Sequence, residues 1–321
     1  MTSYWDDFSG MPEAMEKVSG IIRSSTMSSS PIISEGLEYL FNGNGKLLRP
    51  GMFLIAARFG KIQEKHYKLA AALEMLHMAT LIHDDVIDDS PQRRGLPAVH
   101  TRYGKRDAVL IGDFLLSRCF ILTAEYTSPQ NALNLARLIA NICVMEIEQN
   151  SDRFKSNVSL RGYLRKILGK SALLFSLACY IGASEAKAPR NVSERLRRIG
   201  YNIGIAFQII DDILDYSGTE ELVRKKLGID ITVGLVTLPL ICALSLDKTG
   251  ALKNIFSRDT FSPDESETIY KLVLESGGVQ AAGKYAESYT NRAIREIGSL
   301  PAGPSRDMLE ALAHRLLNRQ Q

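Results

Sequence analysis

The chain has 321 residues, 45% of them hydrophobic and 23% charged, with a formal net charge of +3. That is apolar enough for a sizeable core and ordinary in charge for a soluble protein. Lys+Arg (39) and Asp+Glu (36) are too nearly balanced to suggest nucleic acid as the main partner.

The opening MTSYWDDFSG has neither the basic nor the apolar region of a secretion signal. The longest nearly apolar runs, near 172–183 and 235–246, are too short to span a bilayer. Cys119, Cys143, Cys179 and Cys242 stand singly in apolar helical patterns and read as reduced core residues, not as disulfides or a zinc site. The expectation is a cytoplasmic protein.

Helical periodicity dominates, and no convincing alternating strand pattern is present. A short N-terminal helix and a Ser-rich linker occupy residues 1–30. Candidate helices follow near 32–41, 48–59, 64–89, 106–127, 130–151, 160–183, 192–216, 236–247, 263–276, 279–297 and 305–319. The breaks between them, such as NGNG (42–45), SPQRRGLP (90–97) and the stretch 217–234, are too short for interdomain linkers. The pattern predicts one all-α domain over 1–321.

In chain order, the first candidate functional residues are Lys46 and Arg49 of NGKLLRP. They flank a loop-to-helix junction, where backbone N–H groups and the helix dipole favour anions. The next helix, ending LIHDDVID, carries apolar residues in nearly every direction around its axis, which predicts burial. Its polar positions His77, Thr80, Asp84 and Asp88 form one narrow stripe. His77 alone would also suit a satisfied core histidine, and His83 points elsewhere and reads as structural. Arg93 and Arg94 follow in a Pro/Gly-bounded loop. Two adjacent guanidinium forks suit a diphosphate, although such a pair in a loop is commonly just solvated. Lys170, followed by Ser171, is an isolated charge in the apolar run ILGKSALLFSLACYIGA; it needs an anionic partner or must snorkel to the surface. The helix containing FQIIDDILDY then repeats the earlier design, with Gln208, Asp211, Asp212 and Asp215 on one stripe among isoleucines.

The two clusters, Asp84-Asp85-x-x-Asp88 and Asp211-Asp212-x-x-Asp215, share one form. Each places its first and third Asp at i and i+4, on one helix face. Carboxylates enclosed by apolar side chains repel one another and are costly to desolvate unless cations compensate. The economical reading is an internal cavity in which six carboxylates on two helices hold divalent metal. Mg²⁺ favours carboxylate oxygens together with substrate phosphates, so the ligand is expected to be a phosphate or diphosphate.

With GKLLRP, ExxHxxxLIHDDVID, the downstream RRG, GKS, and FQIIDDILDY followed by TLPL in this order, the chain resembles the trans-isoprenyl diphosphate synthases of long-chain type. The match runs from about residue 35 to 245. The resemblance implies an isoprenoid-synthase-like helical bundle around a central active-site cavity, three Mg²⁺ ions and a homodimer. It also implies isopentenyl diphosphate and an allylic diphosphate as substrates. Residue by residue, it implies that Asp84, Asp88 and Asp211 ligate the metals, with Asp85, Asp212 and Asp215 supporting them directly or through water. Lys46, Arg49, His77 and Arg94 would hold isopentenyl diphosphate. Arg93, Lys170, Ser171, Gln208 and Lys225 would hold or polarise the allylic diphosphate. One departure stands out: the family commonly has Gly-Lys before x-Thr-Leu-Pro, and this chain has Gly234-Leu235, which removes a cation from the allylic grip.

Product length follows from the same helix. Ala79 and Thr80 lie upstream of Asp84 by about 7.5 and 6 Å at 1.5 Å per residue. Short-chain relatives often carry a large aromatic there. Small residues leave the channel open, and the resemblance then implies a product of about thirty to fifty carbons, with at most transient membrane contact for its release. A farnesyl or geranylgeranyl diphosphate synthase, a terpene cyclase and a partner subunit of a heteromeric synthase are the competing readings.

Overall fold

The computed structural model describes all residues except 1–3, 43–44, 94, 152–157, 218–227, 233, 256–260 and 318–321, and the side chains of 149–151, 170, 229 and 263. Apart from one hairpin of two-residue strands, the regular structure among the described residues is helical. The chain divides into two compact units: Met1–Asn134 with Ala178–Glu194, and Leu135–Leu177 with Arg195–Gln321.

The first unit begins with α1 (Met11–Ser25), α2 (Pro31–Phe41), α3 (Leu48–Ala57) and α4 (Glu64–Ile87). A hairpin pairs Gln92–Arg93 with Leu96–Pro97, a short exposed element that the periodicity did not reveal. α5 (Val99–Tyr103) and α6 (Lys105–Tyr126) follow. α4 packs most extensively on α6, and also on α3 and α1. Its buried face (Leu69, Leu73, Met75, Leu76, Ala79, Ile82) joins Met52, Phe53 and Ile55 of α3 and Ile111 and Leu115 of α6 in the core. The α4–α6 approach is close: a Cβ on Gly112 would sit 2.3 Å from His83 Nε2. α7 (Pro129–Ser151), α9 (Leu173–Glu185) and α10 (Arg190–Ser217) each contribute residues to both units.

The second unit adds α8 (Leu160–Ile167), a π-helical turn (Leu168–Ala172), α11 (Ile229–Thr232), α12 (Leu238–Leu246), α13 (Ala251–Ile255), α14 (Pro263–Glu275), α15 (Gly278–Gly298) and α16 (Pro304–Leu317). Its core includes Tyr216, Ile231, Val236, Leu240, Leu244, Leu252, Ile269 and Val273, which anchor the C-terminal end of α10. Tyr216 and Tyr270 stack at 5.7 Å, and the Tyr270 hydroxyl donates to the Tyr216 carbonyl at 2.7 Å. α10 reaches the segment before it at unusually short range, because a Cβ on Gly204 would lie 2.5 Å from Ala172 Cα.

No helix among the described residues is long and apolar enough to cross a membrane. All four cysteines are free; three are buried as expected, but Cys143 is exposed. Helical periodicity reports apolar neighbours along α7 and cannot tell which side of the stripe another element covers.

Candidate active site

α4 delivers the first carboxylate set at its C-terminal end. Asp84 and the C-capping Asp88 are half-buried one turn apart, and the Asp88 N–H donates 2.8 Å to the Asp84 carbonyl. His77 and Thr80 share their partial exposure, whereas Ala79 is fully enclosed. Thr80 Oγ1 donates to the His77 carbonyl at 2.8 Å. His83 lies off this stripe, with Nε2 3.3 Å from the Val109 carbonyl oxygen and 3.5 Å from Asp113 Oδ1, in keeping with a structural role.

The hairpin after α4 folds Arg93 back onto Asp85. Arg93 Nε lies 2.9 Å from Oδ1 and 3.2 Å from Oδ2, and Nη2 lies 2.5 Å from Oδ1. Asp85 is buried, so a charge-assisted fork compensates a carboxylate that water reaches poorly. The sequence assigned Arg93 to a diphosphate and Asp85 to metal support; here they hold each other.

Lys46 and Arg49 flank the start of α3, as the sequence indicated. Arg49 is buried in the first turn. Lys46 is exposed and its Nζ sits 5.3 Å from the centroid of the Tyr4 ring. Between them Leu47, the N-cap, takes the left-handed conformation (φ 48°), a costly geometry for a γ-branched residue that the surroundings must enforce. Trp5 supplies part of that enforcement. Its ring is buried against Gly51, and its Nε1 donates 2.8 Å to the Lys46 carbonyl. An aromatic five residues from the start of the chain carried no sequence signal for this role.

The second set lies on α10. Asp212 and Asp215 are buried, but Asp211 is exposed. The expectation that both stripes are sealed from solvent is therefore corrected: Asp84 and Asp88 are half-open, Asp211 is open, and Ile87 beside the first set is 55% exposed. Many of the apolar residues flanking each stripe face the core, while Asp84, Asp88 and Asp211 keep solvent exposure among the described residues.

Asp212 sits at the centre of a hydrogen-bonded chain. Ser171 Oγ donates 2.7 Å to Gln208 Oε1, Gln208 Nε2 donates 3.0 Å to Asp212 Oδ1, and the Tyr163 hydroxyl donates 2.6 Å to Asp212 Oδ2. Ser171 belongs to the π-helical turn. One extra residue in the turn rotates the following side chains relative to an α-helix, a feature common at functional sites. Tyr163 comes from α8, whose N-cap Ser159 accepts from the Gly162 N–H at 3.0 Å. Burial and then the negative charge of Asp230 push the Asp212 carboxyl up to about 7, against the pull of the Tyr163 and Gln208 hydrogen bonds; Asp211 pushes it further up. Asp230, on α11, also donates its backbone N–H to Asp215 Oδ2 at 3.3 Å. Neither Tyr163 nor Asp230 was singled out by sequence, because each joins the α10 stripe only through tertiary packing.

Arg94, Lys225 and the Lys170 side chain lie outside the described residues. Leu235, in place of the usual lysine, donates its N–H to the Asp230 carbonyl at 2.8 Å.

Among the described residues of either unit, no three His, Cys, Asp or Glu side chains close into a finished metal cage. The available donors are carboxylate oxygens. Such a set suits a hard divalent cation that completes its shell with water and phosphate oxygens, so the residues present fit Mg²⁺.

The sequence profile of the family described as polyprenyl synthetase matches residues 30–273, which include both carboxylate sets. The chain belongs to the polyprenyl synthetase family. It is a prenyltransferase of the trans-isoprenyl diphosphate synthase type, with the all-helical isoprenoid synthase fold. This polyprenyl synthetase is 35% identical over 309 residues to heptaprenyl diphosphate synthase component 2 of Geobacillus stearothermophilus, covering 96% of this chain and 94% of that one. Among solved structures it is similar to heptaprenyl diphosphate synthase from Staphylococcus aureus, with a TM-score of 0.93, 30% identity, and coverage of 97% and 99%. It is likewise similar to polyprenyl synthase from Caulobacter crescentus complexed with calcium and isoprenyl diphosphate, with a TM-score of 0.91, 36% identity, and coverage of 97% and 96%. Other relatives are named for products from geranylgeranyl to decaprenyl diphosphate, so membership alone leaves product length open.

Proposed function

We propose that this polyprenyl synthetase is a single-domain, Mg²⁺-dependent enzyme that condenses isopentenyl diphosphate head-to-tail with an allylic diphosphate to give a long all-trans polyprenyl diphosphate. The observation that carries this reading is the division of labour among the carboxylates. Asp85, Asp212 and Asp215 are buried, whereas Asp84 and Asp88 are half-exposed and Asp211 is exposed. Accessible carboxylates backed by buried ones suit metal ligation with substrate phosphates in the remaining positions.

In this reading Asp84, Asp88 and Asp211 would hold three Mg²⁺, which when bound neutralise the allylic diphosphate and make it a good leaving group. Ser171, Gln208 and Tyr163 orient Asp212, the neighbour of Asp211. Lys170, Arg93 and Lys225 add positive charge around the allylic diphosphate. Lys46, Arg49, His77 and Arg94 hold isopentenyl diphosphate with its double bond toward the allylic carbon. The allylic C–O bond breaks, the isopentenyl double bond attacks the resulting cation, and a proton leaves to the departing pyrophosphate. The protein contributes electrostatic preorganisation, geometry and exclusion of water, and no nucleophile.

The small side chains of Ala79 and Thr80, upstream of Asp84, support a product of about thirty to fifty carbons. The test is a product assay with Mg²⁺, isopentenyl diphosphate and, separately, geranyl, farnesyl or geranylgeranyl diphosphate. A ladder ending at about thirty carbons or more supports the reading. An end at fifteen or twenty keeps the chemistry and removes the length assignment, and no isopentenyl consumption overturns both.

We place the enzyme in the cytoplasm as a homodimer, with transient membrane contact for release of so apolar a product. The outer face of α6 supports association, since Leu110, Phe120 and Ile121 are 52%, 47% and 42% exposed. The designation of the Geobacillus relative as a component 2 favours a second reading, in which a different chain completes the enzyme. Light scattering of the purified chain, read together with its activity alone, separates the two.

A further inference from the structure

A charged cavity lies between the N-terminal half of α10 and the C-terminal end of α15. Its volume is 540 Å³, within the range of small-molecule pockets. Arg195, Arg197 and Arg198 of α10 and Arg292 and Arg295 of α15 line it, against a single carboxylate, Glu296. Asp211 lies thirteen residues beyond Arg198 on the same helix, about 20 Å along its axis, so this cavity is separate from the carboxylate stripe.

Two of the five arginines have an evident structural task. Arg195 Nη1 pairs with Glu296 Oε2 at 2.8 Å, and Arg198 brackets the same carboxylate with Nε at 3.1 Å and Nη2 at 3.3 Å. These bonds tie α10 to α15. That task needs one carboxylate and two guanidinium groups; Arg292 and Arg295 add further like charge to the same concavity. Arg292 is held 5.0 Å over the Tyr289 ring, and Arg295 Nε donates to the Asn291 carbonyl at 3.3 Å, so both side chains are aimed by local contacts. Like charges gathered in a cleft focus positive potential and raise the local concentration of anions. Tyr201 and Ser299 add neutral hydroxyls to the lining. Burial raises the Tyr201 phenol above its ordinary range, which keeps it a proton donor.

We propose that this cavity binds a small ligand bearing two or more linked phosphates, with the guanidinium forks of Arg292, Arg295 and Arg198 as its grip. Planar forks on two helices match several phosphate oxygens at once, as a compact ammonium cannot. The shared chemistry is the diphosphate group; inorganic pyrophosphate and a nucleoside di- or triphosphate are its two sources.

The experiment is calorimetric titration of the full chain in EDTA with pyrophosphate, ADP, ATP and orthophosphate. It uses the wild type, the double variant Arg292→Ala/Arg295→Ala, and Lys46→Ala/Arg49→Ala as a control for anion binding at the other site. Both arginines of the double variant are exposed, and a thermal melt checks that it folds. The expected result is a binding event that persists in the Lys46/Arg49 variant, weakens at least about tenfold in the Arg292/Arg295 variant, and weakens with added salt. Arg198→Lys, which keeps the charge and loses the fork, should fall between. Binding of pyrophosphate and nucleotides alike assigns the site to the bare diphosphate; binding of nucleotides alone assigns it to nucleotides. Equal affinity of the wild type and the Arg292/Arg295 variant for every ligand, or no event that survives the Lys46/Arg49 changes, overturns the proposal.

Discussion

The Tyr163 hydroxyl donates a 2.6 Å hydrogen bond to Asp212 Oδ2, joining α8 to the second carboxylate set. Both side chains are buried, and burial together with the Asp212 charge keeps the phenol neutral and donating. Tyr163→Phe removes that donor while preserving shape. Asp212 then loses one of its two side-chain donors, and its carboxyl moves further above its ordinary range. The expected loss is about 1–2 kcal/mol of stability, with turnover down about tenfold. A denaturant melt and steady-state kinetics check both. Wild-type turnover in Tyr163→Phe would remove Tyr163 from the site's support.

Trp5 fixes the loop that presents Lys46. Trp5→Phe keeps most of the buried aromatic area but deletes the Nε1 donor to the Lys46 carbonyl. KM for isopentenyl diphosphate should rise several-fold with a small effect on KM for the allylic substrate. Gly51→Ala tests the same contact from the other side, because its Cβ would lie 2.1 Å from the Trp5 ring. Strain there should cost about 1–3 kcal/mol. Equal changes in both KM values would instead mark a general loss of structure.

Glu185 provides the pH dependence. It is buried, which alone would raise its carboxyl; hydrogen bonds from Lys65, the Ser128 N–H, Asn131 and Thr127 outweigh burial and hold it down at about 2. A folded-state value below the unfolded one of 4.5 means the stabilisation is fully present above about pH 4.5. It is lost as pH falls toward about 2. Because Lys65 is 30% exposed, we expect about 2 kcal/mol after screening by solvent. Glu185→Gln should therefore melt well below the wild type at pH 7, with the gap narrowing below about pH 4.5 and closing toward about pH 2. A gap independent of pH would rule out the charge as its cause.

Asp84→Ala removes one of the accessible carboxylates at the end of a helix whose packing lies on other faces. Turnover should fall to background with the melting temperature changed by only a few degrees. Near-normal activity with Mg²⁺ present would exclude Asp84 from the metal set.

Ala79 is fully enclosed while Thr80 is half-exposed, so the two small residues offer different tests of product length. Thr80→Phe places its ring along the His77–Asp84 stripe, where the proposed product grows, with little cost to the core, and should shorten the longest product. Ala79→Phe must displace packed neighbours and should cost about 1–3 kcal/mol in addition. An unchanged ladder in both variants would remove this end of α4 from length control.

Much of the fold and the outline of the site were legible in the chain itself. Helix period, breakers and polar stripes located α3, α4, α6, α7, α10, α12, α14, α15 and α16 closely, since each is written in residues near one another in sequence. The two aspartate motifs and their chemical class followed from the same local spacing. Tertiary structure alone decided which carboxylates are buried, and by whom each is held. Arg93 turns back to Asp85 through a hairpin of two-residue strands, Tyr163 reaches Asp212 across 49 positions, and Trp5 reaches Lys46 across 41. Those pairings depend on how separate elements approach one another, as where the Trp5 ring lies against Gly51, and periodicity carries no record of that. The cavity between α10 and α15 is of the same kind: each arginine looks like an ordinary surface charge until packing brings five of them to line one concavity.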